Sequence, residues 1–144
     1  MKSMKNWKFI VTTLLIIIVL IYLNYPLTPT IDVNNTESIT INLYENNSRA
    51  SKKYITKITD HETIDKVAKI LENINYKKLS YLLDVSSLGY PGYNIEIKDL
   101  DGDINIITIY FDDTIRVQSN GRYKIKEGMS KQIYDELLAI VKSK

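Results

Sequence analysis

The longest apolar run of the chain lies close to its N-terminus. From Phe9 to Leu23 it contains fifteen residues without a charge, a Gly or a Pro, so it can form one uninterrupted helix. A helix needs roughly 20 residues to cross the hydrocarbon core of a bilayer, and aromatic and Lys side chains at the headgroups extend a shorter run. Side chains of both kinds flank this run. The pattern predicts a transmembrane anchor that involves Lys2, Lys5, Trp7, Lys8, Phe9, Tyr22, Leu23 and Tyr25.

The charges around the apolar run predict the orientation of the chain. Three Lys residues precede the run, and no Lys or Arg follows it before Arg49. Because positively charged flanks stay in the cytoplasm, we expect residues 1–8 inside, residues 9–25 in the membrane as a signal anchor, and the remainder outside. The alternative is a cleaved signal peptide, whose apolar region spans about 7–15 residues. The bulky and Pro residues from Asn24 to Pro29 do not suit a cleavage site, which favours the anchor.

The residues that follow predict a linker, two strands and a helix. Residues 26–37 are rich in Pro, Thr and Asn without a helical period, which is typical of an extended stalk. Alternation of apolar and polar residues over 38–44 predicts a half-buried strand, and 53–58 predicts a weaker one. Thr59 to Glu62 has the pattern of a capping box. Apolar residues at helical spacing follow it, and the predicted buried positions are Ile64, Val67, Ala68, Leu71 and Ile74.

The second half of the chain predicts a loop, a meander of strands and a terminal helix. Asn75 to Tyr93 has no sustained period, so we expect a loop that packs on the core. Ile104 to Phe111 is the most β-prone segment, and apolar residues on both of its faces predict a strand covered at least partly on both sides. Asn120-Gly121 is a hairpin signal. A helix with Ser130 as its N-cap follows, and its predicted buried residues are Ile133, Leu137, Ile140 and Val141.

The order of these elements predicts the fold class. After the anchor the order is ββα, a loop, ββββ and a final α. Runs of strands separated by two helices favour an α+β fold with a mainly antiparallel sheet over a strictly alternating βα fold. We therefore expect one extracytoplasmic domain over residues 38–144, which is long enough to bury a single core.

Composition and charge remove several classes of function. The 144 residues include no Cys and one His, which excludes disulfides, thiolate catalysis, Cys-ligated zinc, an acylated Cys and multi-His metal sites within one chain. Three of the nineteen Lys and Arg residues precede the apolar run, so the rest of the chain carries sixteen against seventeen Asp and Glu, a formal charge of −1. Such a balance provides no phosphate-neutralising surface, so we expect no nucleic-acid partner. No Gly-rich phosphate loop or nucleophile elbow occurs, and we expect neither a cofactor nor enzymatic activity.

An acidic turn is the candidate for cation chemistry. Asp99, Asp101 and Asp103 alternate as they do at the start of a calcium loop. The places where that loop needs Gly and a bidentate Glu hold Ile104 and Tyr110 instead. The pattern favours a plain hairpin turn. A cell-envelope hydrolase or cation-dependent enzyme that uses the three Asp residues is the alternative function.

Tyrosine is unusually abundant, with eleven Tyr against two Phe. The pattern favours Tyr in place of Phe in a β-rich core, with the hydroxyl at the rim. The alternative is a contact patch, because interfaces use Tyr and Arg heavily and the loop before the meander can fold over it. The candidate partner-contact residues are Tyr90, Tyr93, Arg116, Arg122 and Tyr123.

Most of the outer domain resembles a known family. The residues that carry the resemblance are Ile55 to Ile64, Tyr93 to Ile97, Asp101-Gly102, Ile106 to Tyr110, and Arg122 to Ile125. They are similar to the domain-of-unknown-function proteins of low-GC Gram-positive bacteria. The resemblance implies a single N-terminal span or lipoprotein signal and a small extracytoplasmic α+β domain. This chain departs from the lipoprotein members, because it has no Cys to acylate. The family has no assigned catalytic residues, so it implies none here.

These observations predict a non-enzymatic binding or regulatory module, anchored at the outer side of the cytoplasmic membrane. Its expected partners are the lipid bilayer, through the N-terminal helix, and a protein of the cell envelope. One specific version is an immunity or inhibitor-type protein that blocks an envelope-acting enzyme or toxin. A structural subunit of a larger membrane complex is a further hypothesis.

Overall fold

The computed structural model describes residues 2–44, 53–82, 91–118 and 121–144 of the chain. Within these ranges, runs of strands are separated by helices in an α+β arrangement. In chain order the elements are α1 Lys2–Asn24, β1 Pro26–Leu27, the 3-10 helix η1 Val33–Asn35, β2 Thr36–Tyr44, β3 Lys53–Ile58, α2 His61–Glu72, β4 Tyr76–Lys77, the 3-10 helix η2 Lys78–Ser80, β5 Tyr81–Leu82, β6 Pro91–Asp99, β7 Ile104–Tyr110, β8 Thr114–Val117, β9 Arg122–Lys124 and α3 Met129–Lys142.

The described strands form one large antiparallel sheet and one small one. The large sheet has seven strands in the order β3-β2-β6-β7-β8-β9-β5, and all neighbouring pairs run antiparallel. β1 and β4 pair separately. Helices α2 and α3 pack on one side of the large sheet, here named the helix face, and the opposite side is named the open face. The predicted α+β class with a mainly antiparallel sheet is confirmed.

The hydrophobic core lies between the helix face and the two helices. Successive side chains of a strand point to opposite faces, so the apolar residues of β2 reach the core while their neighbours do not. The apolar stripe predicted for α2 is buried as a whole, and α3 buries three of its four predicted residues, with Ile140 half-buried. The fully buried side chains of largest volume are Tyr93, Ile39, Ile41, Leu43, Ile58, Ile64, Leu71, Ile74, Ile95, Ile109, Ile115 and Ile133.

Helix α2 begins one residue later than predicted. The prediction of a capping box with Thr59 as the N-cap is wrong. Asp60 is the N-cap, and its Oδ1 accepts a hydrogen bond of 2.9 Å from the Thr63 backbone N–H. An ionised Asp at this place also interacts favourably with the positive end of the helix dipole, which Thr59 cannot do. Lys144 donates to the other Asp60 oxygen at 2.7 Å, and this bond and the one from Thr63 lower the pKa of Asp60. Glu62 pairs with Lys66 instead of reaching back.

Helix α3 also differs from its prediction at the first turn. The N-cap is Gly128, with φ of +78°, and Ser130 lies inside the helix. Asp113, from the turn between β7 and β8, supplies the missing acceptor. Its carboxylate accepts hydrogen bonds from the Gly128 N–H at 2.8 Å, the Ser130 N–H at 2.9 Å and the Ser130 hydroxyl at 2.6 Å. A distant side chain thus replaces the predicted local cap.

Residues 26–37 pack on the domain and do not form an extended stalk. β1 pairs with β4, with Pro26 opposite Lys77. Ile31 is 8% exposed and belongs to the core, and β2 begins at Thr36, before the predicted strand. The segment was interpreted as a linker because single apolar residues among Pro, Thr and Asn show no period. Their burial depends on tertiary contacts that local patterning does not reveal.

The region predicted as a loop over Asn75 to Tyr93 contains short elements. β4, η2 and β5 follow each other directly, and β5 pairs with β9 through Tyr81 opposite Tyr123. β6 begins at Pro91. Residues 83–90 lie outside the described part of the chain, as does Asn120 of the predicted hairpin turn. The antiparallel pairing of β8 with β9 agrees with that hairpin.

The prediction that β7 is covered on both faces is wrong over most of its length. Ile107 and Ile109 are buried on the helix face, whereas Ile104 and Ile106 on the open face are 60% and 43% exposed. Antiparallel sheets commonly leave one face to solvent, and apolar residues on that face imitate the pattern of a doubly covered strand. Tyr110, at the end of the strand, is the exception, because the Arg122 guanidinium lies over its ring.

Candidate functional site

The open face is a broad surface that α2 and α3 do not reach. It is formed by the outward-pointing side chains of the strands, in alternation with the core residues. Ile55, Ile104 and Ile106 lie there with large exposed areas. We define the open face by the residues Thr40, Asn42, Ile55, Asn94, Glu96, Ile104, Ile106, Thr108, Arg116 and Arg122.

A row of polar side chains crosses the open face at right angles to the strands. Strand register places Asn42 opposite Asn94, Asn94 opposite Thr108, and Thr108 opposite Arg116, which in turn lies opposite Arg122. Directly opposed residues have Cβ atoms about 4.5–5.5 Å apart, so adjacent members of the row are neighbours in space. Five consecutive strands thereby present hydrogen-bonding groups in one line.

The amide groups of this polar row are only partly satisfied by the described residues. Asn42, which is 8% exposed, donates from Nδ2 to Oε1 of Glu96 at 3.2 Å. Oδ1 of Asn94 is buried and accepts no hydrogen bond within the described residues. An unsatisfied buried acceptor costs about 1–3 kcal/mol, so the centre of the row holds unused hydrogen-bonding capacity.

Arg122 is committed to contacts within the protein. Its Nη2 donates to Asp112 Oδ2 at 2.6 Å and to Thr114 Oγ1 at 2.6 Å, and its Nε donates to the same hydroxyl at 3.2 Å. The guanidinium carbon lies 3.8 Å from the centroid of the Tyr110 ring. Burial raises the pKa of Tyr110, and the charge of Arg122 opposes that change. Arg122 therefore joins β9 to the β7–β8 turn.

Arg116, on β8, is the member of the row that lines a groove on the open face. It is half-buried and lines a shallow groove of about 590 Å³ on the open face. Exposed Ile104 and Ile106, together with Thr108, form the rest of the wall on the β7 side. The groove therefore brings apolar side chains and one guanidinium group together on the open face.

The four predicted partner-contact residues that the structure describes do not form one patch. Tyr93 is fully buried on the helix face, where its hydroxyl donates to the Ser130 carbonyl at 2.8 Å and burial raises its pKa. Tyr123 is half-buried on the same face, with ring centroids 4.9 Å from Tyr76 and 5.6 Å from Tyr81.

Only the two Arg residues of that prediction lie on the open face, and Tyr90 falls outside the described residues. The assignment of Tyr93 to a contact surface is therefore wrong, and its role is the core role that the composition favours. The prediction missed the polar row, although its residues alternate with core residues in three successive strands. Asn and Thr at outward strand positions were treated as ordinary solvated residues.

The acidic turn between β6 and β7 has the geometry of a hairpin. Asp99 Oδ1 accepts a hydrogen bond of 2.9 Å from the Asp103 N–H, and Gly102 has φ of +93°. Asp101 and Asp103 are exposed. Among the described residues, no group of three or more His, Asp or Glu side chains is arranged to hold a metal ion.

A second cavity lies beside that turn, on the helix-face side. It measures about 300 Å³, and its walls include Ile31, Asp32, Asp99, Asn105 and Gln118. Gln118 Nε2 donates to Asn105 Oδ1 at 2.8 Å, and Asp32 accepts from a backbone N–H of η1. The volume lies at the lower limit for small-ligand sites, and these polar groups already bond within the protein.

Helix α1 is long and apolar enough to cross a membrane. The window from Trp7 to Asn24 has a mean hydropathy of 2.1, and none of it is buried against the rest of the protein. A signal sequence and the core helix of a soluble protein pass the same test of length and composition. Of the predicted anchor residues, Trp7, Lys8, Phe9, Tyr22 and Tyr25 are exposed and Leu23 is half-buried, and Lys2 and Lys5 lie in the first turns of the helix.

The fold defines a class: a small α+β domain that follows an apolar helix long enough to cross a membrane. Comparison of the chain with protein-family models, with curated proteins and with solved structures finds no match. The resemblance to the Gram-positive family accordingly stays a prediction.

Proposed function

We propose that the protein is a membrane-anchored, extracytoplasmic binding module without enzymatic activity, and that the open face is its contact surface. The observation that carries this proposal is the groove, in which exposed Ile104 and Ile106 lie beside Arg116 on a face that neither α2 nor α3 covers. Exposed apolar side chains around a partly desolvated Arg are typical of the centre of a protein interface.

The proposed partner is a protein surface of the cell envelope that presents a carboxylate next to an apolar side chain. The carboxylate would pair with Arg116, and the apolar side chain would cover Ile106. Such a partner would also bring donors close to the polar row, where the described residues leave an acceptor unused. An immunity or inhibitor-type protein, which blocks an envelope-acting enzyme or toxin, is the specific version of this function.

The proposed anchor is helix α1, and its proposed orientation follows from the charges that precede the apolar run. Support for a retained anchor comes from the unburied apolar helix and from the absence of small residues where a signal peptide would be cleaved. Support for an extracytoplasmic domain comes from Lys2, Lys5 and Lys8 before the apolar run.

Photo-crosslinking in intact cells tests the contact surface. A photoreactive residue is placed at Ile106 on the open face or, as the control, at Ala139, which is exposed on α3. We expect Ile106 to give a defined crosslinked species that Ala139 does not give, and Arg116→Glu to abolish it. Equal adducts from both positions, or an adduct that Arg116→Glu leaves unchanged, would contradict the proposal.

A further inference from the structure

The end of α1 is held against the domain at two adjacent places. Lys78 of η2 lies with its Nζ 3.6 Å from the centroid of the Tyr22 ring and donates a hydrogen bond to the Tyr22 hydroxyl. β1 starts two residues after α1 ends and pairs with β4, directly before η2. One residue, Tyr25, separates α1 from β1, so the connection between helix and domain is short. The Tyr22–Lys78 contact precedes it in the chain, and the pairing of β1 with β4 follows it.

This connection determines the depth of η2 relative to α1. Tyr22 lies in the last turn of α1, and a helix rises about 1.5 Å per residue, so Tyr22 is about 3 Å from the helix end. The Lys78 ammonium group lies on the Tyr22 ring, so the tip of this η2 side chain lies at the level of that ring along the helix axis. If α1 spans a bilayer with its terminal Tyr residues among the headgroups, then η2 reaches the headgroups too.

The surface around η2 exposes apolar, aromatic and Lys side chains, as a surface in the headgroup layer does. Leu79 is 58% exposed, Tyr81 is 49% exposed and Tyr25 is 64% exposed, and Lys77 is also exposed. We name Tyr25, Lys77, Lys78, Leu79 and Tyr81 the juxtamembrane face. Aromatic, aliphatic and Lys side chains together are typical of surfaces that lie in the interfacial layer of a bilayer.

The juxtamembrane face is also fixed to the large sheet. Tyr81 belongs to β5, the edge strand, and its ring packs on Tyr123 of β9. The Tyr81 ring also lies against Gly121, directly before β9, where an added Cβ atom would displace the ring. These contacts connect the end of α1 to the large sheet through η2 and β5.

We propose that the juxtamembrane face lies in the headgroup layer of the membrane that α1 spans, and that it holds the sheet at a fixed orientation to that membrane. Leu79 inserts at the boundary of the acyl chains, and Lys77 and Lys78 pair with anionic lipid phosphates. The proposal rests on the membrane anchoring proposed above. It adds a lipid-binding role for residues outside α1.

Depth-dependent fluorescence quenching tests this proposal on the full chain. Because the protein has no Cys, a single Cys can carry a fluorophore at Leu79, at Leu100 or at Ile17. Leu100 is the matched control: it is 64% exposed and lies in the β6–β7 turn, several strands away from β5. The labelled proteins are reconstituted in phosphatidylcholine–phosphatidylglycerol vesicles that contain lipids spin-labelled at the headgroup or deep in the chain.

We expect the Leu79 probe to lose about half of its fluorescence to headgroup spin labels and to resist aqueous iodide, as interfacial groups do. The Leu100 probe should respond to iodide and not to spin-labelled lipid. A Lys77→Gln, Lys78→Gln variant should weaken the Leu79 response in these anionic vesicles. If Leu79 behaves like Leu100 while Ile17 is quenched by deep spin labels, the juxtamembrane proposal is overturned and the anchor stands. If Ile17 is not quenched, the anchor itself fails.

Discussion

Asp112 and Asp113 follow β7 directly, and their side chains bind different parts of the molecule. Asp112 pairs with Arg122 on β9, and Asp113 caps the first turn of α3. Asp113 has φ of +55°, a conformation that Asp tolerates better than most residues. Local patterning does not reveal either contact, because the partners of both residues lie ten to seventeen positions further along the chain.

The cap by Asp113 predicts a pH-dependent stability. Burial raises the pKa of Asp113, but the hydrogen bonds from Ser130 and Gly128 outweigh this and leave the pKa below its usual value. A lowered folded-state pKa stabilises the protein above the unfolded-state pKa of about 3.9, and this contribution is lost as the pH falls through the folded-state value. We expect Asp113→Asn to lower the free energy of unfolding by about 1–2 kcal/mol at neutral pH.

Urea denaturation of the full chain in detergent, followed by circular dichroism from pH 7 to pH 3, measures this effect. The Asn variant should lose less stability on acidification than the parent protein. Asp101→Asn, in the exposed turn, is the control and should leave both the stability and its pH dependence unchanged. Parallel pH profiles for the parent and Asp113→Asn would contradict the capping role.

Arg122 predicts a second effect at the scale of one residue. Arg122→Met removes the donors to Asp112 and Thr114 and leaves the Thr114 hydroxyl, which is 3% exposed, without them. Hydrogen bonds to charged groups contribute about 1.5–3 kcal/mol, so we expect a loss of about 2 kcal/mol in the same denaturation experiment. Lys124→Met, on the same strand and exposed, should cost less than about 0.5 kcal/mol. Equal effects of the two substitutions would show that the buried guanidinium contributes nothing specific.

The turn Asp99–Asp103 predicts a negative result with calcium. The Asp99 carboxylate already accepts a hydrogen bond from the turn itself, and the other two Asp residues are exposed. Because a ligand that prefers the folded state raises its stability, the melting temperature in micromolar calcium should equal that in a chelator. A rise in melting temperature that Asp101→Asn removes would instead support the cation-dependent enzyme.

At the scale of elements, the sequence predicts long periodic segments and misses short ones. The stripe of α2 and the alternation of β2 were predicted because each repeats over several turns or pairs. β1, β4 and β5 have two residues each, which is too short for any period, and they form because neighbouring segments offer edges to pair with. The starts of α2 and α3 were misplaced because residues distant in sequence, Lys144 and Asp113, take part in them.

The docked segment 26–37 predicts the effect of a core substitution outside the expected domain boundary. Ile31 belongs to the core cluster, so Ile31→Ala should lower the free energy of unfolding by about 2 kcal/mol. Thr30→Ala, the exposed neighbour, should change it by less than about 0.5 kcal/mol. Unfolding by urea measures both. An unchanged stability for Ile31→Ala would mean that the segment is a stalk, as the sequence pattern indicated.

At the scale of the whole molecule, a large sheet with one covered face follows an apolar helix long enough to cross a membrane. The sequence predicted the apolar N-terminal helix and the α+β class, because each depends on local pattern or composition. It did not predict the groove or the polar row, since these depend on the register of strands that are far apart in the chain. Alternation along one strand indicates which side chains face the core, but it does not show which residues of other strands lie beside the outward ones.

We propose that α1 stays in the membrane and holds the domain outside the cytoplasm. Labelling of single-Cys variants in intact protoplasts with a membrane-impermeant maleimide tests it directly, because the chain has no Cys of its own. Leu100→Cys should be labelled in intact protoplasts, Ser3→Cys should be labelled only after lysis, and both proteins should sediment with the membranes. Labelling of Leu100→Cys only after lysis would contradict the outward orientation of the domain. Recovery of the protein from the medium would contradict a retained membrane anchor.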